Sequence, residues 1–398
     1  MSTDIAQPGE AQITLPPDAR ILVVKMAGIG DLLLATPALR ALRETYPQAQ
    51  IDLLLTPASA GILDGWQVIN HSIVLDKYLF DYPQQILKNP RNLQRLTPLW
   101  RDLRGGHYDA VLLMHHLTLP FGRLKHQLLV RATGAKWRVG LDNGHGGFLN
   151  VRVPDSGFGA MHEAEYNLAI ARAVGATTAD TRLAVPLSEK ERQQARQLVC
   201  GEQEKVAHPI IAMHPGSGGY STARRWGPER FAQVADTLFR EAGGQLLLLG
   251  GPEEATLHEQ IMGMLKSGIP ARSLAGKGSI KVTAAALQLA DLFIGNDSAL
   301  MHLAVAGGTP TVAIFGLTNH KAWGPFTGND PQRKAIVVRL DLPCMPCFYR
   351  GHSLGTPEGC TTRDCLAQLG VDPVAAAAHR LLRETQPSEQ VEKRKRTT

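Results

Sequence analysis

The sequence predicts an α/β protein made of two doubly wound domains that face each other across a cleft. Its 398 residues are too many for one ordinary core and fit two domains. Short apolar strands alternate with helical stretches in both halves, which is typical of parallel sheets covered by helices on both faces. A glycine-containing turn follows the first strand of each half, and ligands of such sheets bind outside the carboxyl ends of the strands.

The first half opens with a strand, turn, helix and strand that together have the size of one βαβ unit. Residues 21–25 form an apolar run typical of a buried strand, and residues 27–31 form a tight turn. The helical spacing over residues 32–45 ends before Pro47, and the next apolar run covers residues 51–56. The same half contains further predicted elements: strands at 72–75 and 110–114 and a helix at 90–104.

The second half repeats this alternation after a charged helical stretch at residues 188–194, which places the domain junction near residues 185–207. Its predicted strands are 210–213, 245–249, 292–294 and 311–315, and its predicted helices are 228–242, 253–266, 283–290 and 298–306. We therefore expect four regions: a disordered segment at 1–19, a Rossmann-like domain at 20–190, a second Rossmann-like domain at 191–383 and a disordered basic tail at 384–398.

The net charge of +6 favours an acidic partner such as a nucleotide, a phosphorylated glycan or an anionic membrane surface. It is too small to indicate nucleic-acid binding, and a surface excess of arginine explains it equally well. No apolar stretch approaches the roughly 20 residues of a membrane-spanning helix. The first 20 residues lack the charged, apolar and small-residue order of a secretory signal, so we expect a cytoplasmic protein.

The first turn carries the candidate residues Gly28, Gly30 and Asp31. Glycines at a strand-to-helix turn let the backbone approach a ligand, and an aspartate beside the helix start faces the predicted cleft. A simple helix N-cap explains Asp31 equally well from its spacing. The turn is not a G-x-G-x-x-G pattern, so dinucleotide binding is only weakly supported.

The second turn, residues 214–219, contains Gly216 and Ser217 and is followed closely by Arg224 and Arg225. Backbone amides of such a loop can hold phosphate oxygens while guanidinium groups neutralise their charge, so the segment suits a diphosphate. A plain loop with surface arginines is the alternative. The sequence contains no Walker A loop and no Asp-x-Asp metal motif, and no G-x-S-x-G elbow precedes a helix.

The third turn follows a strand that ends at Ile294 and precedes a helix that begins near Ser298. The amides and dipole of that helix start form an anion site, and Asp297 can instead bind sugar or ribose hydroxyl groups. His302 lies four residues after Ser298 and shares its helix face. A capped helix with a packed histidine is the alternative interpretation.

Four of the five cysteines lie close together in the sequence as Cys344, Cys347, Cys360 and Cys365. Their spacing, C-x2-C-x12-C-x4-C, is typical of a metal knuckle, and four thiolates suit a structural zinc or iron ion. Free or redox-labile thiols are the alternative. A catalytic role is not expected, because protein ligands would fill all four positions.

The three turns together resemble the heptosyltransferase family, glycosyltransferase family nine. Residues 21–40 are similar to its opening strand, small-residue turn and Gly-Asp before Thr-Pro-Ala-Leu. Residues 214–231 are similar to its His-Pro-Gly-Ser followed by a basic-Arg-Trp run, and residues 295–318 to its Gly-Asn-Asp-Ser stretch with Gly-Thr-Pro and Phe-Gly-x-Thr. The resemblance extends from about residue 20 to residue 383 and specifies the family better than the acceptor.

The resemblance implies the GT-B architecture, with the acceptor mainly in the first domain and the donor mainly in the second. It implies transfer of heptose from ADP-heptose to lipopolysaccharide with inversion at the anomeric carbon, with no catalytic cofactor and with Asp31 as the base. Gly28 and Gly30 then lie on the acceptor side. The implied donor-binding residues are Gly216, Ser217, Arg224, Glu253, Asp297, Ser298, Ala299, Leu300 and His302.

Several features leave the acceptor open. Met26 and Ala27 replace the Ser-Ser common in the family, and basic residues within 77–147 either meet an anionic lipid or phosphosugar or are solvated. These basic residues are Arg91, Arg95, Arg101, Lys125 and Arg131. An anionic glycan or glycolipid acceptor implies peripheral contact with the cytoplasmic face of the inner membrane.

Two alternatives to this function stay open. The four-cysteine segment resembles a metal-binding variant seen in heptosyltransferases that modify proteins, so another sugar or a protein acceptor is an alternative. A non-catalytic nucleotide-sugar-binding protein is an alternative of another class, although the intact Asp31 argues against it.

Overall fold

A computed structural model describes residues 11–77, 96–201 and 207–385, and the chain divides into two compact units. The first unit comprises Met1–Pro186 together with Arg350–Leu354, and the second comprises the remaining residues, Leu187–Tyr349 and Gly355–Thr398. The division thus falls after Pro186, inside the junction expected at 185–207. The sequence did not predict that a short segment from the C-terminal half belongs to the first unit.

The first unit is built on a six-stranded parallel sheet of strand order β3-β2-β1-β4-β5-β6. Its strands are β1 (Arg20–Val24), β2 (Gln50–Leu55), β3 (His71–Val74), β4 (Ala110–Leu113), β5 (Trp137–Asp142) and β6 (Val151–Pro154). Its helices are α1 (Ile29–Leu33), α2 (Thr36–Thr45), α3 (Leu96–Gly105), α4 (Pro120–Ala132) and α5 (Glu163–Ala173). The chain order reverses direction between β1 and β4, so a crevice opens at their carboxyl ends.

The second unit has the corresponding sheet, with strand order β12-β11-β10-β7-β8-β9 and its reversal between β7 and β10. Its strands are β7 (Ile210–His214), β8 (Gln245–Leu248), β9 (Ala271–Ser273), β10 (Leu292–Asn296), β11 (Thr311–Ile314) and β12 (Ala335–Val338). Its helices are α6 (Glu189–Cys200), α7 (Pro228–Ala242), α8 (Ala255–Met264), α9 (Ile280–Leu287), α10 (Ala299–Gly307), α11 (His320–Trp323), α12 (Asp364–Ala367) and α13 (Val371–Thr385).

The burial of the central strands explains why each sheet is parallel and covered by helices on both faces. Every residue of β7 and β10 is buried, as are all residues of β1 after Arg20. Such continuous apolar strands require helices on both sides. The predicted α/β class with two Rossmann-like, doubly wound sheets is confirmed. No helix in the described part of the chain is long and apolar enough to span a bilayer.

The helix predicted over residues 32–45 is two helices, α1 and α2, and the break is explained by Pro37. Proline has no N–H to donate and its ring conflicts with the carbonyl one turn earlier, so it is accommodated only in the first turn of a helix. Pro37 accordingly lies in the first turn of α2, and the Thr36 hydroxyl donates to the Leu33 carbonyl at 2.6 Å.

The disorder predicted for residues 1–19 is wrong for the part that the structure describes, residues 11–19. The backbone N–H groups of Gln12 and Ile13 donate to the carbonyl of Ala173, and buried Leu15 donates to the Tyr46 hydroxyl at 3.2 Å. The segment is ordered because its backbone is hydrogen-bonded and its apolar side chain is buried. At the other end, α13 extends to Thr385. Residues 1–10 and 386–398 lie outside the described residues.

Candidate active site

The turn after β1 places the Asp31 carboxylate at the carboxyl edge of the first sheet. Gly28 is the N-cap of α1 and Gly30 lies within that helix, while Asp31 occupies its first turn and is half-buried. A Cβ atom on Gly28 would lie 3.8 Å from Asp31 Oδ2, so the carboxylate is directed toward the turn. Because Gly28 holds the N-cap position, the simple N-cap interpretation of Asp31 does not apply.

The turn after β4 is hydrogen-bonded to the turn after β1 through His115. The backbone N–H of Met26 donates to His115 Nε2 at 2.7 Å, and Lys77 Nζ donates to the Met26 carbonyl at 2.9 Å. Burial and nearby positive charges hold the pKa of His115 well below its usual value, so its ring is neutral and can accept this bond. These contacts fix the strand end from which Asp31 projects.

The next residue, His116, is held between two carboxylates. Its Nδ1 donates to Asp155 Oδ2 at 2.9 Å and its Nε2 to Glu163 Oε1 at 2.8 Å. Burial opposes protonation of the ring, but the two carboxylates outweigh it and raise the pKa of His116 to about 9. His352, from the short returning segment, donates from Nε2 to the Asp155 carbonyl at 3.0 Å. This cluster was not predicted from the sequence, although a histidine pair directly after a predicted strand is a usable signal.

In the second unit, the end of β10 and the start of α10 form the corresponding edge. Ser298 is the N-cap of α10, but its side chain makes no capping hydrogen bond; its Oγ instead lies 2.9 Å from His214 Nδ1 at the end of β7. Ala299 and Leu300 belong to the first turn of α10, whose backbone N–H groups have no intrahelical partner. The helix start therefore retains the donors and the positive dipole end that an anion needs.

A buried carboxylate, Glu254, holds the Gly-rich loop and His214 together. Its oxygens accept from His214 Nε2 at 3.0 Å, from the backbone N–H groups of Ser217 and Gly251 at 3.2 Å, and from Arg225 at 3.4 Å. Burial penalises its charge, but these donors outweigh the penalty and lower the pKa of Glu254 to about 2. The loop thus surrounds a permanent negative charge at neutral pH.

Gly216 must be glycine for this arrangement to form. A Cβ atom there would lie 1.6 Å from Glu254 Oε1, closer than any non-bonded contact allows. The amide of buried Asn296 donates to the carbonyls of Pro215 at 2.8 Å and Gly216 at 3.0 Å, and its oxygen accepts from the Trp226 N–H at 3.0 Å. The loop is therefore fixed to the end of β10 as well as to Glu254.

Arg224 joins the loop to the third motif. Its guanidinium donates to the Ser217 carbonyl at 2.9 Å and lies 3.4 Å from Asp297 Oδ2. Of the predicted donor-binding residues, the structure brings together Gly216, Ser217, Arg224, Asp297, Ser298, Ala299 and Leu300. His302 is buried one turn further along α10.

Glu253 does not join this cluster. It is exposed, whereas its neighbour Glu254 is buried against His214. The ribose contact predicted for Glu253 stays a prediction. His214 and Glu254 were not among the predicted site residues. The signal available for His214 is a histidine that ends a buried strand. For Glu254 the sequence offers two adjacent acidic residues after Gly250-Gly-Pro252 and does not distinguish them.

The four predicted metal ligands do not converge. Cys365 is buried, Cys344, Cys347 and Cys360 are exposed, and none forms a disulfide. Within the described residues, no three His, Cys, Asp or Glu side chains are close enough together to hold a metal ion. Burial and the negative charges of the other three thiolates nevertheless raise the pKa of Cys365 to about 11. The described residues thus contain no formed ligand set among these thiols.

Comparison with known proteins supplies the family. The model of glycosyltransferase family 9 (heptosyltransferase) matches residues 96–356, well over half of the chain. The chain belongs to this family. It is a glycosyltransferase, as the sequence resemblance predicted. Lipopolysaccharide heptosyltransferase 3 of Escherichia coli (strain K12) is 28% identical over 372 residues, which cover 90% of this chain and 97% of that protein.

Two solved structures share the fold of this glycosyltransferase. The ADP-heptose lps heptosyltransferase II of E. coli superimposes with a TM-score of 0.67 at 21% identity, covering 92% of this chain and 99% of the other. The iron-containing dodecameric glycosyltransferase TibC from enterotoxigenic E. coli H10407 superimposes with a TM-score of 0.54 at 16% identity, covering 94% and 78%. These similarities support the predicted GT-B fold.

The raised pKa of His116 predicts a specific pH dependence of stability. A group whose pKa is higher in the folded than in the unfolded state stabilises the fold fully below its unfolded pKa, near 6.5 here. That contribution is lost as the pH rises through about 9. We expect His116→Gln to lower Tm at pH 6 and to remove at least half of the wild-type decline in Tm between pH 6.5 and 9.

Thermal unfolding measured across this range tests the prediction, with His145→Gln as the control because His145 is exposed. A His116→Gln profile parallel to that of the wild type would show that the ring carries no stabilising charge.

Proposed function

We propose that this glycosyltransferase transfers a heptose from ADP-heptose to a lipopolysaccharide-core or related glycan acceptor, with inversion at the anomeric carbon. The observation that carries the proposal is the chemistry at the two sheet edges. The first edge presents the half-buried carboxylate of Asp31, and the second presents the start of α10 with Ser298 and Arg224. A base and an anion-binding site are the two groups that inverting transfer from a nucleotide sugar needs.

Asp31 is the proposed general base. Inversion requires one displacement, in which the acceptor hydroxyl attacks the anomeric carbon while the nucleoside diphosphate leaves from the opposite face. As the new C–O bond forms and the bond to the diphosphate oxygen breaks, the hydroxyl proton passes to the Asp31 carboxylate. The contacts of Met26 with His115 and Lys77 keep the adjoining turn in place during this step.

The second unit is proposed to hold the donor and to stabilise the leaving diphosphate. The amides of Ala299 and Leu300 at the α10 start meet its developing negative charge, and the Arg224 guanidinium adds a fixed positive charge. Asp297 lies 3.4 Å from Arg224, so it both orients this cation and is available to sugar hydroxyl groups. No bound metal ion is required for these roles, since the cation and the helix amides are supplied by the chain.

Replacing Asp31 should remove catalysis without removing donor binding. We expect Asp31→Asn to lower kcat by about 10²–10⁴-fold, the usual contribution of a positioned general base. The Kd for ADP should stay within about threefold, because the proposed donor groups lie in the second unit. Transfer assays and calorimetry measure the two quantities, with Asp18→Asn as a control at an exposed aspartate.

Two results would contradict this role. An Asp31→Asn enzyme with the wild-type kcat would exclude the carboxylate as the base. A product whose anomeric configuration, read by NMR, is the same as that of the donor would exclude single-displacement inversion.

The donor is tested by titrating ADP-, UDP- and GDP-sugars against the full chain. We expect ADP-heptose to bind most tightly, and Arg224→Gln to weaken its binding by at least tenfold because a half-buried cation beside the diphosphate is lost. Arg225→Gln is not a suitable control, because Arg225 contacts Glu254. Arg240→Gln is the control, because Arg240 lies on the surface of α7. Binding of UDP without binding of ADP would overturn the heptose assignment.

We further propose that the four cysteines bind one structural zinc or iron ion. Four thiolates form a soft donor set that suits zinc or iron, and the four cysteines lie within 22 residues of the sequence, 344–365. The ion would cross-link the chain around residues 344–365 and would have no catalytic role. Its binding would require Cys365 to lose its proton.

Metal analysis of the purified protein tests this site. We expect about one ion per chain in the wild type and less than a tenth of that in Cys360→Ser, with Cys200→Ser unchanged as the control. Tm should fall when a chelator removes the ion. A wild-type protein without zinc or iron, or a Cys360→Ser variant with a full complement of metal, would contradict the proposal.

A further inference from the structure

Two neighbouring helices of the first unit, α3 and α4, expose large apolar side chains next to basic ones. Trp100 on α3 is 56% exposed, and Leu124 and Leu128 on α4 are 49% and 56% exposed. Helices α3 and α4 contact each other. Large apolar side chains exposed singly are ordinary, but a group of them on adjacent helices indicates an interaction surface.

The outward side of α4 has a regular composition. Leu124 and Leu128 are four residues apart and so lie on one face, which they share with the exposed Arg131, three residues after Leu128. Lys125 is half-buried, and its Nζ lies 5.4 Å from the centroid of the Phe121 ring. Leu129, Val130 and Ala132 of the same helix are buried in the first unit. The helix therefore presents apolar side chains to the core. It also presents two leucines, with basic residues nearby, to the solvent.

Helix α3 has the same combination on a shorter stretch. Trp100 and Arg104 are four residues apart and share a face. Arg101 is exposed beside them, whereas Leu103 is buried. Together α3 and α4 contain five lysine or arginine residues and a single acidic residue, Asp102. The charge around the exposed apolar side chains is thus strongly positive.

We infer that Trp100, Leu124 and Leu128, with Arg101, Arg104, Lys125 and Arg131, form a docking surface for an anionic lipid bilayer. Leucine and tryptophan side chains enter the boundary between headgroups and acyl chains, where tryptophan is enriched, while arginine and lysine reach the headgroup phosphates. A protein partner would leave the excess of cations unexplained unless that partner were acidic. The bilayer satisfies both the apolar and the positive character of the surface.

The proposed membrane docking adds a partner to the proposed function. Only the biological purpose of the docking rests on that function. If the acceptor is a lipid-anchored glycan, docking of the first unit brings the enzyme to the surface on which that acceptor is held. The docking itself is a binding property that can be measured without any sugar transfer.

Co-sedimentation of the full chain with vesicles tests the inference. We expect binding to vesicles of phosphatidylglycerol and phosphatidylethanolamine, at least tenfold weaker binding to phosphatidylcholine alone, and weakening in high salt. Trp100→Ser/Leu124→Ser/Leu128→Ser should weaken binding to the anionic vesicles at least tenfold. These side chains are exposed, so the variant should keep the wild-type Tm, which is measured alongside.

Matched controls separate this surface from other sources of binding. Met264→Ser changes an exposed apolar residue of the second unit and should bind vesicles like the wild type. Neutralising the four basic residues at 393–396 should leave at least half of the affinity. Adding vesicles should shift the tryptophan fluorescence of the wild type to the blue, and this shift should be absent in Trp100→Phe. A merely structural role of Trp100 would not produce such a vesicle-dependent shift.

The inference is overturned if wild type and triple variant bind equally, if neither binds, or if only the variant at 393–396 loses binding. It is also overturned if sedimentation velocity shows that the triple substitution dissociates a dimer without changing vesicle binding. Failure of the proposed function gives a different result, namely no transfer to a lipid-free core oligosaccharide by the wild type. If both ideas hold, the triple variant transfers to that soluble acceptor at the wild-type rate.

Discussion

The buried pair of His214 and Glu254 is the interaction on which the candidate donor site depends. Glu254 accepts from the histidine, from backbone N–H groups of the Gly-rich loop and from Arg225, so one carboxylate determines the shape of the whole loop. His214 in turn contacts Ser298, the residue that begins α10. Removing either partner leaves a buried hydrogen-bonding group of the other unsatisfied, which costs about 1–3 kcal/mol. The pair therefore links the Gly-rich loop to the start of α10.

The first unit contains a comparable buried cluster at the end of β4. There a protonated histidine, His116, lies between two carboxylates and orders the chain after β4, while neutral His115 accepts a hydrogen bond from the turn after β1. In both units, side chains that do not carry the proposed chemistry hold the strand ends from which Asp31 and Ser298 project. Such support explains how exposed turns of a doubly wound sheet can keep functional groups in place.

The sequence predicted the sheets and the residues at their edges well, because in a parallel sheet the carboxyl ends of neighbouring strands converge. That rule alone places Asp31 and Ser298 at the carboxyl edges of their sheets. It could not decide which of Glu253 and Glu254 turns inward, since a short 3-10 helix at Pro252–Glu254 sets that orientation. Nor could it predict that His352, nearly 200 residues away, contacts Asp155, because no local pattern encodes such a return of the chain.

The contributions of the two charged clusters to stability change with pH in opposite directions. This limits the pH range in which both units are fully stabilised. Glu254 stabilises its unit above its unfolded pKa near 4.5, and this contribution is lost as the pH falls toward 2. His116 stabilises its unit fully below about 6.5 and progressively less toward pH 9. Both contributions are complete together only between these unfolded values. At neutral pH the contribution of Glu254 to the stability of its unit is therefore complete, whereas the contribution of His116 has begun to fall.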